Sequence, residues 1–553
     1  MAIDMPPPMP PMPMTEIRYE AISKSHGAYF LSGHISGATI NIFDLPYISK
    51  EDAQVLLNAS NSPSHFILNL NTAYYLKGHL LVQIAYRQVD KTVYIYAVQS
   101  RLVNIQGPNK VTKYFNSLKG DKNLTISEVD KRKVMADISS NRQGLDYSFT
   151  YQPSADYAAT DLILSDKKRD VNRIQVDAEL GNEGNRYVGS YLAKAGIRTW
   201  QDSGSEFKAS YIRAIPRAEE KKEGNSYHAL VLNYNFPSPK GLYGIEFLTS
   251  QYSRLITETI ENPNFFGQCQ PELTALCSSI LPASSENVLY DISAKTTKFA
   301  GTGEQILYSR PGSRVIVNQK LEGISDEIED FQQGVILDES YGVVGLGVKY
   351  VIGTATPEKK KLGQFQLQLS RGFGGNNGTL DTEDTPEGPY PGNHSAEFLI
   401  IKPSINAQFT IYKDLSVILS GDAQISNNVQ LPQFQQYTLG GMSQLSAFLP
   451  GVLVGDSGTY GRMEFVISPS GDSVFKIIPS IFIEAGETSS ENTSKDLAQK
   501  KSISDAGARV IITVGKHFQL EVSSATILKY DNLSKSHIDE YKMEFFAKAK
   551  LLF

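Results

Sequence analysis

Side chains able to do covalent chemistry are few in this chain and lie far apart. A hydrolytic site would need a Ser or Asp nucleophile with a histidine base within reach. Three histidines of the C-terminal region occupy turns or loops: His394 in an acidic, glycine-rich stretch, His517 in a short turn and His537 near the last loop. They form no such set, and no enzymatic activity is expected. The stretch GFGGNNG (Gly372–Gly378) has the glycines of a phosphate-cradling loop. It runs into Asp/Pro/Gly-rich sequence instead of a helix and so reads as a flexible turn. Cys269 and Cys277 are the only cysteines, in FFGQCQPELTALCSS between two strand-like segments. An isolated pair in such a loop suits a small disulfide in an oxidising compartment. A metal site would need two further ligands close by, so neither metal nor cofactor is expected.

The chemistry that remains is polar and repetitive, and it belongs to strands. Ile174, Val176, Ala178 and Leu180 alternate with Arg173, Gln175, Asp177 and Glu179. Phe365, Leu367 and Leu369 alternate with glutamines, and Phe518, Leu520 and Val522 with Gln519, Glu521 and Ser523. No run approaches the roughly 18 apolar residues of a membrane-spanning helix, so a chain that crosses a membrane must do so as a closed barrel. A mean hydropathy of −0.25 is compatible with that, because only alternate residues of a barrel strand face lipid. About sixteen strands can be counted after residue 170, joined by alternating short turns and long polar loops. Ser238–Gly241, Lys413-Asp414 and Lys516-His517 are the short turns expected on the periplasmic side. In the last strand Tyr541, Met543, Phe545, Ala547, Ala549, Leu551 and Phe553 share one face, with Lys542, Glu544, Lys548 and Lys550 on the other. A soluble antiparallel sandwich also alternates, but it rarely keeps so polar a second face over so many long strands. With net charge −6, pI near 5.9 and no basic stripe, nucleic acid is not an expected partner.

Before residue 170 helical and strand periods mix. MAIDMPPPMPPMPM (1–14) has neither the charged nor the apolar region of a signal peptide, so the sequence reads as a mature or trimmed form with an extended, tether-like leader. Ser49 followed by Asp52 opens a helix with Ala53, Leu56 and Leu57 on one face, and a second helix is predicted over Phe66–Leu76. Strands follow at Leu80–Arg87 and Lys91–Gln99. A second unit repeats the mixture. Arg101–Gly107 reads as a strand, and Val111, Tyr114, Phe115 and Leu118 lie on one helix face. Thr125 and Glu128 form a capping box for a helix reaching about Ser140, and strands follow at Leu145–Tyr151 and Ala159–Ser165. Two small α+β modules in tandem are expected.

Several of these segments resemble the two-partner-secretion transporters, the TpsB family. YYLKGHLLVQIAYR with KTVYIYAVQSRLVNIQG resembles the first of their periplasmic POTRA modules. ISSNRQGLDYSFTYQPS, with Asn141, Arg142 and Pro153, resembles part of the second. LGNEGNRYVGSYL (Leu180–Leu192) resembles the first barrel hairpin, and YTLGGMSQLSAFLPGVLVGDSGTYGRMEF (Tyr437–Phe465) the long sixth extracellular loop that tucks into the pore. The resemblance runs from about residue 35 to Phe553. It implies a mainly β protein: a sixteen-stranded antiparallel transmembrane β-barrel over 169–553 with an inward-folded loop near 440–458, preceded by a leader (1–34) and POTRA domains at 35–100 and 101–168.

By this resemblance the chain sits in the outer membrane of a Gram-negative bacterium as a monomer. It would bind a partner exoprotein, of β-helical type, through its periplasmic modules and pass it unfolded through the barrel. An assembly factor that inserts membrane proteins and a passive porin are the alternatives. Outer-membrane lipids and the barrel-assembly machinery are the other implied partners, the latter reading a C-terminal signal of Tyr541, Phe545, Leu551 and Phe553. Leu145, Tyr147, Phe149 and Tyr151 are the first candidates for docking an added strand, and Leu81 and Gln83 the second. In the pore loop the candidates are Gly440, Gly441, Leu445, Ser446, Ala447, Phe448 and Asp456. The family has an arginine at the loop tip, and here it is absent. Its aspartate partner is matched by Glu484, so Arg462 is expected to help anchor the loop. The family's plug helix must be missing or supplied by 15–32.

Overall fold

The computed structural model describes residues 15–16, 29–154, 158–184, 189–215, 226–261, 285–330, 334–355, 360–375, 378–381, 394–469, 473–491 and 500–553. Residues 1–14, which hold the proline run, and Cys269 with Cys277 lie outside these.

The first unit is a five-stranded sheet with two helices on one face. Its strands are β1 (Thr15–Glu16), β2 (Leu31–Ile35), β3 (Ala38–Ile42), β4 (Val82–Val89) and β5 (Thr92–Gln99), in the order β1-β4-β5-β3-β2. Helix α1 (Lys50–Asn58) starts where Ser49 Oγ accepts from the Asp52 amide at 3.1 Å, and α2 (Pro63–Leu76) where Ser62 caps and Pro63 has no amide to satisfy. Phe66, Leu70 and Tyr74 of α2 close over Ile40, Ile84 and Ile95. The β2–β3 hairpin was not expected. Its turn is Ser36-Gly37, with φ of 50° and 78°, and a serine in that first position is a weaker signal than Asn or Asp. The 15–32 segment does not supply a plug at either end: Thr15–Glu16 lies parallel to β4 and Leu31–Ser32 belongs to β2, so both ends are held on this sheet.

The second unit has strands β6 (Arg101–Gln106), β7 (Leu145–Pro153) and β8 (Ala159–Lys168) in the order β6-β8-β7, under helices α3 (Asn109–Phe115) and α4 (Ile126–Gln143). Thr125 and Glu128 form the capping box, and Gly144 ends α4 in the left-handed region at φ 70°. Its core includes Leu242 and Ile316 from the next unit, so the module is seated on the barrel's mouth. Tyr114 donates to the Pro237 carbonyl at 3.3 Å and Arg132 to that of Pro239 at 2.7 Å.

Sixteen antiparallel strands then close on themselves. The first eight are β9 (Ile174–Gly181), β10 (Tyr191–Trp200), β11 (Glu206–Ile215), β12 (Ser226–Ser238), β13 (Gly241–Glu261), β14 (Ser285–Arg310), β15 (Ser313–Asp330) and β16 (Gly334–Ala355). They continue through β17 (Lys360–Phe373), β18 (Leu399–Tyr412) and β19 (Leu415–Ser426). A short hairpin of β20 (Tyr437–Leu439) and β21 (Leu453–Gly455) interrupts the wall before β22 (Ser457–Ile467). The barrel ends with β23 (Phe475–Ser489), β24 (Lys501–Val514), β25 (Phe518–Asp531) and β26 (Phe546–Leu552), which pairs with β9.

The alternation decides which side is wet. On β16 Val344, Leu346, Val348, Tyr350 and Ile352 are exposed on the outer face, while Lys349 faces inward beside Glu304. A continuous exposed apolar exterior around a closed barrel is what lipid, not water, accommodates. Tyr541 departs from the expected last strand. It ends helix α5 (Lys535–Tyr541) and is buried in the loop cluster, and β26 starts only at Phe546, whose ring is fully buried. Ser534 caps that helix, which outweighs the apolar alternation of Tyr541 and Met543.

Candidate functional site: the pore loop and its anchors

Between β19 and β22 the chain folds back into the barrel. Leu445, Ala447 and Phe448 are wholly buried, with Leu439, Leu453 and Val452 in the same cluster. Gly440 and Gly441 make the bend at φ of 122° and 96°, and a Cβ on Gly440 would meet the Leu449 carbonyl oxygen at 2.3 Å. Leu445 takes φ 53°, a costly conformation for a branched side chain, held by the packing around it.

The wall opposite the tip is built by register. Arg462 on β22 is paired with Glu484 on β23, and Glu484 with Asp505 on β24, so three charged side chains lie in a row on the inner face. Two of them clasp the loop through its backbone. The Ser446 amide donates to Glu484 Oε1 at 2.5 Å, and the Ala447 amide to Asp505 Oδ2 at 3.0 Å. Tyr460 donates to Glu484 Oε2 at 2.6 Å, and Arg462 Nη1 lies 3.4 Å from the same oxygen and 3.3 Å from Ser446 Oγ. The guanidinium also stacks over Phe482, 3.7 Å from the ring centre. Arg462 and Glu484 thus meet at the tip, and the shortest bonds to the tip run from its amides to the wall carboxyls. A missing tip arginine is offset because the tip's own amides find carboxyl acceptors on the wall.

Asp505 was missed by sequence reading. It keeps the inward parity of Ile503 and Arg509 along β24, and only the pairing of β24 with β23 sets it beside Glu484. Asp456 holds the loop's base, accepting from the Leu431 and Glu491 amides at 2.7 Å each. Helix α5 braces the loop from the side: the Leu449 amide donates to the Tyr541 carbonyl at 2.8 Å, and His537 Nε2 lies 2.8 Å from the Val452 carbonyl.

The residues proposed for docking are placed differently. Leu145 and Tyr151 are buried in the second module, Phe149 packs edge-on against Phe115 at 5.2 Å, and Tyr147 donates to Asp137 at 2.5 Å. Leu81 is fully buried and precedes β4, while Gln83 donates to Thr160 at 3.0 Å across the junction of the modules. These side chains serve the modules' own cores, because burying a large aromatic stabilises a small domain more than display does. What β7 offers outward is its main-chain edge, with Asp146, Ser148, Thr150 and Gln152 exposed.

No family model and no curated protein matches the sequence. Among solved structures the chain is similar to CdiB from Escherichia coli, with a TM-score of 0.67 over 96% of this chain and 92% of that one, at 13% identity. The chain has the CdiB fold. CdiB from Acinetobacter baumannii gives a TM-score of 0.60 over 96% and 91%, again at 13% identity. At such low identity the shared feature is architecture: two small α+β units and a sixteen-stranded barrel, the fold that the sequence resemblance implied.

Proposed function

We propose that this protein is an outer-membrane transporter of the two-partner-secretion type, which takes an unfolded partner protein from the periplasm and passes it through its barrel to the cell surface. The observation that carries the reading is the pore loop itself, a buried segment held inside a polar-walled barrel by an apolar cluster and by carboxyl groups that accept from its tip amides. These contacts are non-covalent and lie on the inner face, so the loop can be released without unfolding the barrel. The inner wall supports passage: Glu246, Lys298, Glu322 and Lys320 form a mixed-charge network that holds water and favours no one sequence. The free edge of β7 supports docking, since an extended chain can add to it through main-chain hydrogen bonds.

The test is conductance in planar bilayers, comparing the full chain with a variant lacking Ser443–Gly455. A larger, steadier pore in the variant is the expected result. Equal conductance would place the loop outside the conduction path and overturn the gating role.

A further inference from the structure

Away from Glu484 and Asp505, the inner wall near the β15–β16 end carries a second set of contacts. Ile324, Tyr341, Val343 and Ile400 put apolar side chains on the lumen side there, and Leu380, Ala396 and Leu431 cover them. Leu380 and Ala396 come from the segment after β17, and Leu431 from the base of the pore loop. Two separate stretches of chain therefore share one apolar seat.

One carboxylate joins them. Glu339 on β16 is fully buried; its Oε1 meets Nδ1 of His394, and its Oε2 accepts from the Gln433 amide at 2.9 Å. Gln433 opens a short 3-10 turn, so Glu339 caps that turn. The Ser395 amide donates to the Gln430 carbonyl at 2.9 Å, tying the two stretches directly. From Gln433 the link runs on toward the tip: Gln424 Nε2 donates to the Gln435 and Asp456 carbonyls at 2.9 Å each, and Tyr437 donates to Asp422 at 2.7 Å.

We propose that Glu339 and His394 form a second latch, which couples residues 394–398 to the pore loop so that these two lids are released together. Glu339 is a positioning residue whose two oxygens hold one lid each. The inference rests on the pore loop being the gate. A carboxylate shared between two loops makes their release cooperative: losing either donor leaves the buried charge under-satisfied and weakens its hold on the other.

The experiment uses the full-length protein in nanodiscs, with hydrogen exchange read at the amides of 429–436 and 445–448 for the wild type, His394→Ala and Glu339→Ala. His394→Ala lies in a loop and tests the coupling even if Glu339→Ala does not fold. The expected result is faster exchange in both segments, by about tenfold or more, since His394 reaches Gln433 through Glu339. Faster exchange confined to 394–398, with Ser446 and Ala447 within about twofold of the wild type, would overturn the latch. The gate is tested apart, by the conductance of the variant lacking Ser443–Gly455: if the deletion changes nothing, the gate reading falls, while the exchange data still decide whether the lids are coupled.

Discussion

The two central tip amides of the pore loop are held by two carboxyl side chains. Glu484 and Asp505 each receive one amide from the tip, and a net hydrogen bond is worth roughly 0.5–1.5 kcal/mol, more where the acceptor is charged. Glu484→Gln and Asp505→Asn keep the shape and exchange a carboxyl acceptor for a neutral amide. Each variant is expected to raise the population of the open loop by about tenfold, on the order of 1.4 kcal/mol, with the double variant higher still. Single-channel recordings measure this as open probability, and unchanged gating in the double variant would refute the clasp. The same residues explain how the loop manages without its arginine: Arg462 balances the carboxylates from the wall, and the tip needs only its own amides.

Two elements carry predictions of their own. Helix α4 seats the second module on the barrel mouth, and Asp130 on its buried side has no hydrogen-bond partner among the described residues. Burial pushes its carboxyl up to about 6, against the opposing pull of Lys133 and Arg314. A carboxyl raised in the folded state favours its neutral form. Its burial therefore costs nothing at pH near 3.8, costs progressively more up to about 6, and costs a constant amount above that. Asp130→Asn should raise the melting temperature of the full-length protein at pH 8 and leave it nearly unchanged at pH 4; an equal shift at both would show that charge is not the cause. Strand β7 carries the docking prediction. Thr150→Lys with Gln152→Lys places charge along the exposed edge strand, which hinders strand addition. Binding of an extended cargo segment should weaken severalfold while the module's circular dichroism stays the same, and undiminished binding would remove β7 from the docking role.

At the scale of the whole molecule, removing residues 29–168 should leave a barrel that still shows heat-modifiable migration, because the strands close on themselves through β9 and β26. Export of the partner should stop. Continued export by the barrel alone would refute a docking function for the modules.

Sequence by itself determined the parts governed by local rules. The period-2 alternation placed Phe365, Leu367 and Leu369 on the lipid side, since strand geometry leaves no other choice. Capping residues Ser49 and Thr125 marked true helix starts, because the groups they satisfy lie within one turn. Tertiary structure alone decided what depends on distance. The pairing of β24 with β23 set Asp505 beside Glu484 under the loop tip, a neighbour that no count along one strand reveals. The seat shared by His394, Glu339 and Gln433 joins residues up to 94 positions apart. Aromatic side chains on β7 went to the core instead of the edge, since their apolar area stabilises only where a helix covers it. Periodicity says which face a residue takes, and only closure of the barrel says what stands opposite it.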